Sequence, residues 1–289
     1  MKRLWIAVLF LAFCGLAYAD GVYAVRKRVE ASMVVTGTIV VSPDGGVQSY
    51  ELDKPDQLPP EVVSLIRKAA AEWRFEPVVR DGKAVAARAK MNLRVVAKHD
   101  EGSQDYTARI AGATFGDGTS DEQVSFKDRH VAPRYPIRAI EARVSGTVYL
   151  IVRIDRDGKV ADVSAEQVNL ALVASDSELR RWREILADAS IQAAREWTYN
   201  PPTSGPHAKD EYWIARLPVA FNLHQIGRPA TNHYGQWQGY VPGPKEPVPW
   251  LSKYPLANDD KGSAADALAD NNVHMLGSGL RLVTPLDHS

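Results

Sequence analysis

A nine-residue string, Ala69-Ala70-Ala71-Glu72-Trp73-Arg74-Phe75-Glu76-Pro77, returns later in the chain as Ala193-Ala194-Arg195-Glu196-Trp197-Thr198-Tyr199-Asn200-Pro201. Five of the nine positions are identical, and Phe75 and Tyr199 are equivalent aromatics. The surroundings repeat in kind. Before each string lies a β-rich segment with an Asp-Gly turn, Asp44-Gly45 in one and Asp157-Gly158 in the other. After each comes a long alternating segment, with Asn92-Leu93 matching Asn222-Leu223. Recurrence of motif, order and flanks restricts the chain to folds in which one small unit is built twice.

The second copy shows what the unit contains. Val148, Leu150, Val152 and Ile154 share one face of a strand, and Tyr149, Ile151, Arg153 and Asp155 the other. Asp155-Arg156-Asp157-Gly158 reverses the chain into a second strand through Val160 and Val163. Ser175-x-x-Glu178 is a capping box. Leu179, Trp182, Leu186, Ala189, Ala193 and Trp197 follow as one helical stripe. Pro201 and Pro202 stop the helix, and Trp213, Ala215, Leu217, Val219, Phe221 and Leu223 alternate along a last strand.

The first copy has the same order in shorter parts: a strand over 34–42, a turn at Pro43–Gly46, a second strand to Leu52, a helix from Pro59-Pro60 to Trp73, and a final strand. On that strand Val85, Ala87, Ala89, Met91, Leu93 and Val95 oppose Arg88, Lys90, Asn92 and Arg94. The predicted fold is α+β: two tandem β-β-α-β units, each a small antiparallel three-stranded sheet packed on one helix, with Trp73 and Trp197 as core anchors. Residues 20–97 and 131–225 hold the two units. Residues 98–130, rich in Gly, Ser, Asp and Thr, read as a linker with one turn or strand around Tyr106–Phe115. Residues 226–289 read as a Pro/Gly/aromatic tail, largely irregular, whose aromatics His233, Tyr234, Trp237, Tyr240, Trp250 and Tyr254 strap it to the second unit.

The first nineteen residues bear on location. Lys2 and Arg3 precede an apolar run from Leu4 to Leu16, and Ala17-Tyr18-Ala19 is a small-x-small cleavage site. This predicts a signal peptide cleaved after Ala19, releasing a periplasmic chain that starts at Asp20. The run is short beside the roughly twenty residues of a membrane span; the alternative is a retained inner-membrane anchor. Cys14, the only cysteine, leaves with the signal, so the mature chain has no disulfide or thiolate site. Thirty-five basic and thirty-five acidic residues cancel in the whole chain, and no long basic run gives the footprint of a nucleic-acid partner.

Catalytic patterns are missing. The seven histidines are scattered without metal-ligand spacing. Asp44, Asp155 and Asp157 sit in or beside the hairpin turns, where turn chemistry accounts for them. Gly277-Ser278-Gly279 has neither phosphate-loop nor nucleophile-elbow context. No enzyme activity, cofactor or metal is expected.

Pro133-Arg134-Tyr135-Pro136-x-x-Ala139, Gly146-Thr147-Val148, Asp155-x-Asp157-Gly158-x-Val160, the Ala-Ala helix end, Trp197-x-Tyr199-x-Pro201 and Leu217-Pro218-Val219-x-Phe221 resemble, in order and spacing, the C-terminal domain of the TonB family. The first copy fits only through Trp73-Arg74-Phe75-Glu76-Pro77 and lacks the Pro-x-Tyr-Pro entry, as a diverged duplicate would. The resemblance implies a periplasmic domain that binds the TonB box, a short extended segment of outer-membrane transporters, by strand addition to a sheet edge. The partner is then an outer-membrane TonB-dependent receptor or another envelope protein, with a homodimer also open. Membrane contact follows only if the signal segment is kept as an anchor.

On this resemblance Tyr212–Leu223 is the receiving strand. The candidate partner-binding residues are Pro133, Arg134, Tyr135 and Pro136 of the entry, and Tyr212, Ile214, Arg216 and Pro218 of the strand, Ile214 and Arg216 tuning specificity. Two features depart from a TonB energy transducer: residues 1–19 hold no histidine, and no long proline-rich spacer follows. The other reading is a structural or assembly module of the envelope, self-associating or touching cell wall.

Overall fold

The computed structural model describes residues 24–100, 105–117, 120–128, 130–223, 234–254, 268 and 273–286. The signal segment and His233 therefore lie outside the described residues. The fold is α+β, with antiparallel sheets and few helices.

The first sheet is built around β1 (Glu30–Val41), which pairs with β5 (Ala87–His99) along one side. On its other side it pairs with β2 (Val47–Leu52) through Gly37–Val41. β6 (Tyr106–Asp117) extends the sheet beyond β5. Helix α1 (Pro60–Glu72) opens on Pro59-Pro60, where a missing N–H costs nothing, and buries Val62, Ile66, Ala69 and Ala70. These meet Val35, Ile39, Met91, Leu93 and Phe115, with Trp73 fully enclosed. A short hairpin of β3 (Val78–Arg80) and β4 (Lys83–Val85) links helix to sheet.

The second sheet has the order β13-β11-β8-β9, where β8 is Gly146–Asp155, β9 Val160–Leu170, β11 Tyr212–Phe221 and β13 His274–Met275. A one-turn helix, α2 (Ile137–Glu141), leads into it, and α3 (Asp176–Ala194) crosses one face. The Ser175 hydroxyl accepts from the Glu178 N–H while the Glu178 carboxylate accepts from the Ser175 N–H, the reciprocal capping box expected. The deepest residues of the stripe are Leu179, Leu186, Ser190 and Ala194, so its centre runs one residue beyond Ala189 and Ala193. Ser190 is tolerated there because its hydroxyl bonds the Leu186 carbonyl at 2.8 Å.

The two Asp-Gly turns make the same contact. Gly45 and Gly158 have φ of +86° and +78°, and a Cβ on either would lie 2.1 Å from the Phe75 carbonyl oxygen or 2.0 Å from that of Tyr199. The Phe75 and Tyr199 N–H groups each donate at 2.8 Å to the glycine carbonyl. Only glycine fits a position that needs both a left-handed backbone and this close approach. Trp197 is 4% exposed, and its indole N–H donates at 2.9 Å to the Val131 carbonyl.

Both sheets exceed three strands. The stretch read as a linker supplies β6, and also β7 (Ser125–Phe126), which pairs with β10 (Tyr199–Asn200). Among the described residues of the tail only short elements form, and they dock on both sheets. β12 (Gln238–Tyr240) joins the N-terminal half of β1 beside β2, and Val241 bridges to Leu170 of β9. Val248, Trp250, Leu251 and Tyr254 then lie over Ile151 and Ile214 on the face of the second sheet opposite α3. The alternation on β5 gives way at Arg94–Ala97, which is buried throughout. There Arg94 donates to the Tyr149 hydroxyl of β8 at 3.2 Å and lies 4.6 Å from the Tyr240 ring, so the Arg94 end of that face is covered by β8 and the tail while Arg88 and Lys90 stay exposed.

Candidate functional site

β11 pairs with β8 without a register shift from Tyr212↔Asp155 to Phe221↔Gly146. Trp213, Ala215, Leu217, Val219 and Phe221 point into the α3 core, and the even-numbered residues point the other way. The Ile214 carbonyl accepts from the Leu276 N–H at 2.7 Å, so by alternation the backbone groups of residues 214, 216, 218 and 220 face the outer edge. Pro218 thus places its missing N–H on that edge, where proline costs no ladder bond.

Ile214 and Arg216, expected to face an incoming side chain, are buried. Ile214 lies under the tail with Ile151 and Leu276. Arg216, 2% exposed, makes a bidentate pair with Glu166, also 2% exposed, at 2.6 and 2.8 Å. Lys245 from the tail reaches the same carboxylate at 3.0 Å. Burial raises the Glu166 pKa, but the Arg216 hydrogen bonds and charge, joined by Lys245, outweigh it and hold the net value below the ordinary one. Pairing makes such burial tolerable. Tyr212 is half-buried, its ring 4.7 Å from that of Tyr254.

The entry residues converge on the other end of β11. The Tyr135 hydroxyl donates to the Val144 carbonyl at 2.6 Å, and its ring stands edge-on to Phe221 at 5.2 Å. Burial raises its pKa. Arg134 is exposed and Pro136 half-buried. Pro133 and Pro218 line one shallow hollow of about 70 Å³ with Phe126, His130, Trp197 and Val219. His130 stacks on Phe126 at 4.0 Å, and burial lowers its pKa. The structure brings Pro133 and Pro218 together here, packs Tyr135 on Phe221, and sets Tyr212, Ile214 and Arg216 apart beneath the tail.

Sequence reasoning missed Glu166, Lys245, His274 and Leu276. Glu166 is the residue left over at a β-bulge, where Tyr149 pairs with Gln167 and Leu150 with Ala165. A bulge breaks the alternation that identifies a face. His274 and Leu276 sit in a segment too short to show a period.

The outer edge of β11 is taken by β13 only opposite Ala215 and Arg216, with the Leu276 bond just beyond. Among the described residues no strand pairs with the outer side of Leu217–Phe221, whose inner side pairs with β8. An edge strand covered only in part leaves backbone groups that a further strand could pair with. Residues 131–223 match the family model for the Gram-negative bacterial TonB protein C-terminal. Over 93 residues the chain is similar to Protein TonB of Xanthomonas campestris pv. campestris, from strain B100 and from strain ATCC 33913, at 36% identity in each case. The similarity covers 32% of this chain and 35% of each of those proteins. No solved structure matches. Among the described residues no helix is long and apolar enough to cross a membrane.

Proposed function

We propose that this protein is a TonB-like protein of the periplasm that binds extended segments of outer-membrane transporters, or of other envelope proteins, by strand addition to β11. Its role is binding, without catalysis, within TonB-dependent transport. The observation that carries this reading is the edge of β11 over Leu217–Phe221, free of a described neighbour and flanked by the hollow at Pro133 and Pro218. An incoming strand would gain main-chain hydrogen bonds there and set one side chain toward the hollow.

The two halves are, on this reading, copies of one β-β-α-β unit, which their matched turn contacts support. Their edges differ. The first copy's counterpart of β11 is β5, and β6 covers its outer side from Ala89 to His99. Strand addition belongs to the second unit, and the first braces it.

The test is a titration of the full chain with TonB-box peptides, following backbone amide shifts. The expected result is shifts at Leu217–Leu223 with micromolar or poorer affinity, because ordering a flexible peptide offsets much of the gain. Absence of shifts at millimolar peptide would discard the reading. Mass spectrometry of the envelope fraction checks the predicted start at Asp20. A structural or self-associating module is the second reading, favoured by the part of β11 that β13 already fills; concentration-dependent dimers without peptide binding would establish it.

A further inference from the structure

Three consecutive residues of the tail show how the β11 edge treats a strand laid against it. His274 lies opposite Arg216 and Met275 opposite Ala215, antiparallel, and the Leu276 N–H bonds the Ile214 carbonyl. Their side chains alternate as those of a sheet strand must. Met275, 2% exposed, enters the α3 core beside Ala215. Leu276, 4% exposed, enters the apolar cluster of Ile151 and Ile214 on the opposite face. His274 shares that opposite face and stands against Arg216, whose charge joins burial in keeping the imidazole neutral. The segment then leaves the sheet, and past Gly277 the chain runs to the first unit, where the Leu280 N–H bonds the Phe115 carbonyl.

So short a pairing is a weak hold by itself, since an isolated strand gains only a few main-chain bonds. A strand pairing along the whole edge would gain more, and it cannot reach Ile214–Arg216 while residues 274–276 are there.

We infer that Val273–Leu276 is a resident strand occupying the inner half of the binding edge, and that it states the chemistry this edge accepts: an antiparallel segment carrying a neutral polar residue, an aliphatic residue and a leucine-sized aliphatic residue in succession. A partner that starts on the open half at Leu217–Phe221 displaces this strand as it pairs inward. A basic residue in the His274 place is rejected by Arg216, and an acidic one in the Leu276 place is left buried without a counter-charge. The inference rests on the strand-addition reading, and the two fail differently.

The experiment uses the full chain, as wild type and with Leu276→Ala, and as probe a synthetic peptide copying residues 271–279. The variant should bind the probe at least tenfold more tightly than the wild type, with amide shifts at Ile214, Ala215 and Arg216, and the same peptide carrying Leu276→Asp should not bind. In the wild type, without peptide, the Leu276 amide should exchange at least a hundredfold faster than the β5–β6 ladder. Equal binding by both chains, no binding by the variant, or a Leu276 amide as protected as that ladder would overturn the inference. The exchange measurement stands even if the variant does not fold. A TonB-box peptide that shifts only Leu217–Leu223 and leaves Leu276 protected would retain strand addition and overturn the resident strand.

Discussion

Arg216 is the residue whose role changes most between sequence and structure. From the sequence it reads as a side chain on the outward face of the strand, there to tune the choice of partner. In the fold it is held at 2.6 and 2.8 Å by a carboxylate as enclosed as itself. Two charges withdrawn from water tolerate the loss of neither partner, so Arg216→Ala should destabilise the chain by roughly 3–5 kcal/mol, whereas replacing both Arg216 and Glu166 by apolar residues of similar volume should cost much less. Chemical denaturation of the two variants checks this. Because the folded Glu166 has a lowered pKa, its contribution is present above the ordinary carboxylate range and disappears as pH falls through the folded value. The Arg216→Ala chain should therefore lose less stability on acidification than the wild type. Trp73 and Trp197 are the other decisive residues, each enclosed where a helix ends. Trp→Ala at either should cost roughly 3–5 kcal/mol, and unfolding curves close to wild type for both would remove them from the core.

At the scale of elements, the contrast is between β5 and β11, the last strands of the two proposed units. β5 is closed along nearly its whole outer side by β6, while β11 is touched by β13 at a few residues. Edges left open are managed by short covers and by prolines, and Pro218 and β13 together do that here. The hold of β13 depends on pH through His274, whose pKa is pushed down to about 4 by burial and by the charge of Arg216. Between the ordinary value of 6.5 and about 4 the released strand takes up a proton that the seated strand does not. The seating is thus fully stable above about pH 6.5 and weakens as pH falls toward 4. Amide exchange at Leu276, corrected for the intrinsic pH dependence of exchange, should speed up over that window, and His274→Gln should flatten the change.

At the scale of the whole molecule the tail holds the two units together. β12 pairs with β1, Val241 bridges to β9, Trp250 donates to the Ser164 hydroxyl at 2.9 Å, β13 pairs with β11, and Val283 donates to the Arg74 carbonyl at 2.7 Å. These contacts fall on both units, so the tail's apolar burial stabilises the pair rather than one of them. Truncation after Leu223 uncovers Ile151 and Ile214 and removes the counter-charge of Lys245. The melting temperature of the truncated chain should fall by several degrees, with amide shifts in both sheets. An unchanged melting curve would mean that the tail lies on the surface without holding it.

Period-2 and period-3.6 patterning marked β1, β5, β8, β11, α1 and α3 from local residues, because each of those elements carries a regularly spaced apolar face that meets its own core. The Asp-Gly turns were legible for a similar reason: glycine at Gly45 and Gly158 reports a backbone need that no other residue meets. The motifs of residues 131–223 likewise carried the resemblance that the family model matches. What tertiary structure decided is whatever depends on the second face of a sheet. Whether Ile214, Arg216 and Arg94 meet water or protein is set by segments distant in sequence that come to lie over them. A bulge turned Glu166 toward Arg216, and β13 is too short to carry a period. The extent of the open edge on β11 follows from those same long-range placements, since only the assembled chain fixes which backbone groups already have a neighbour.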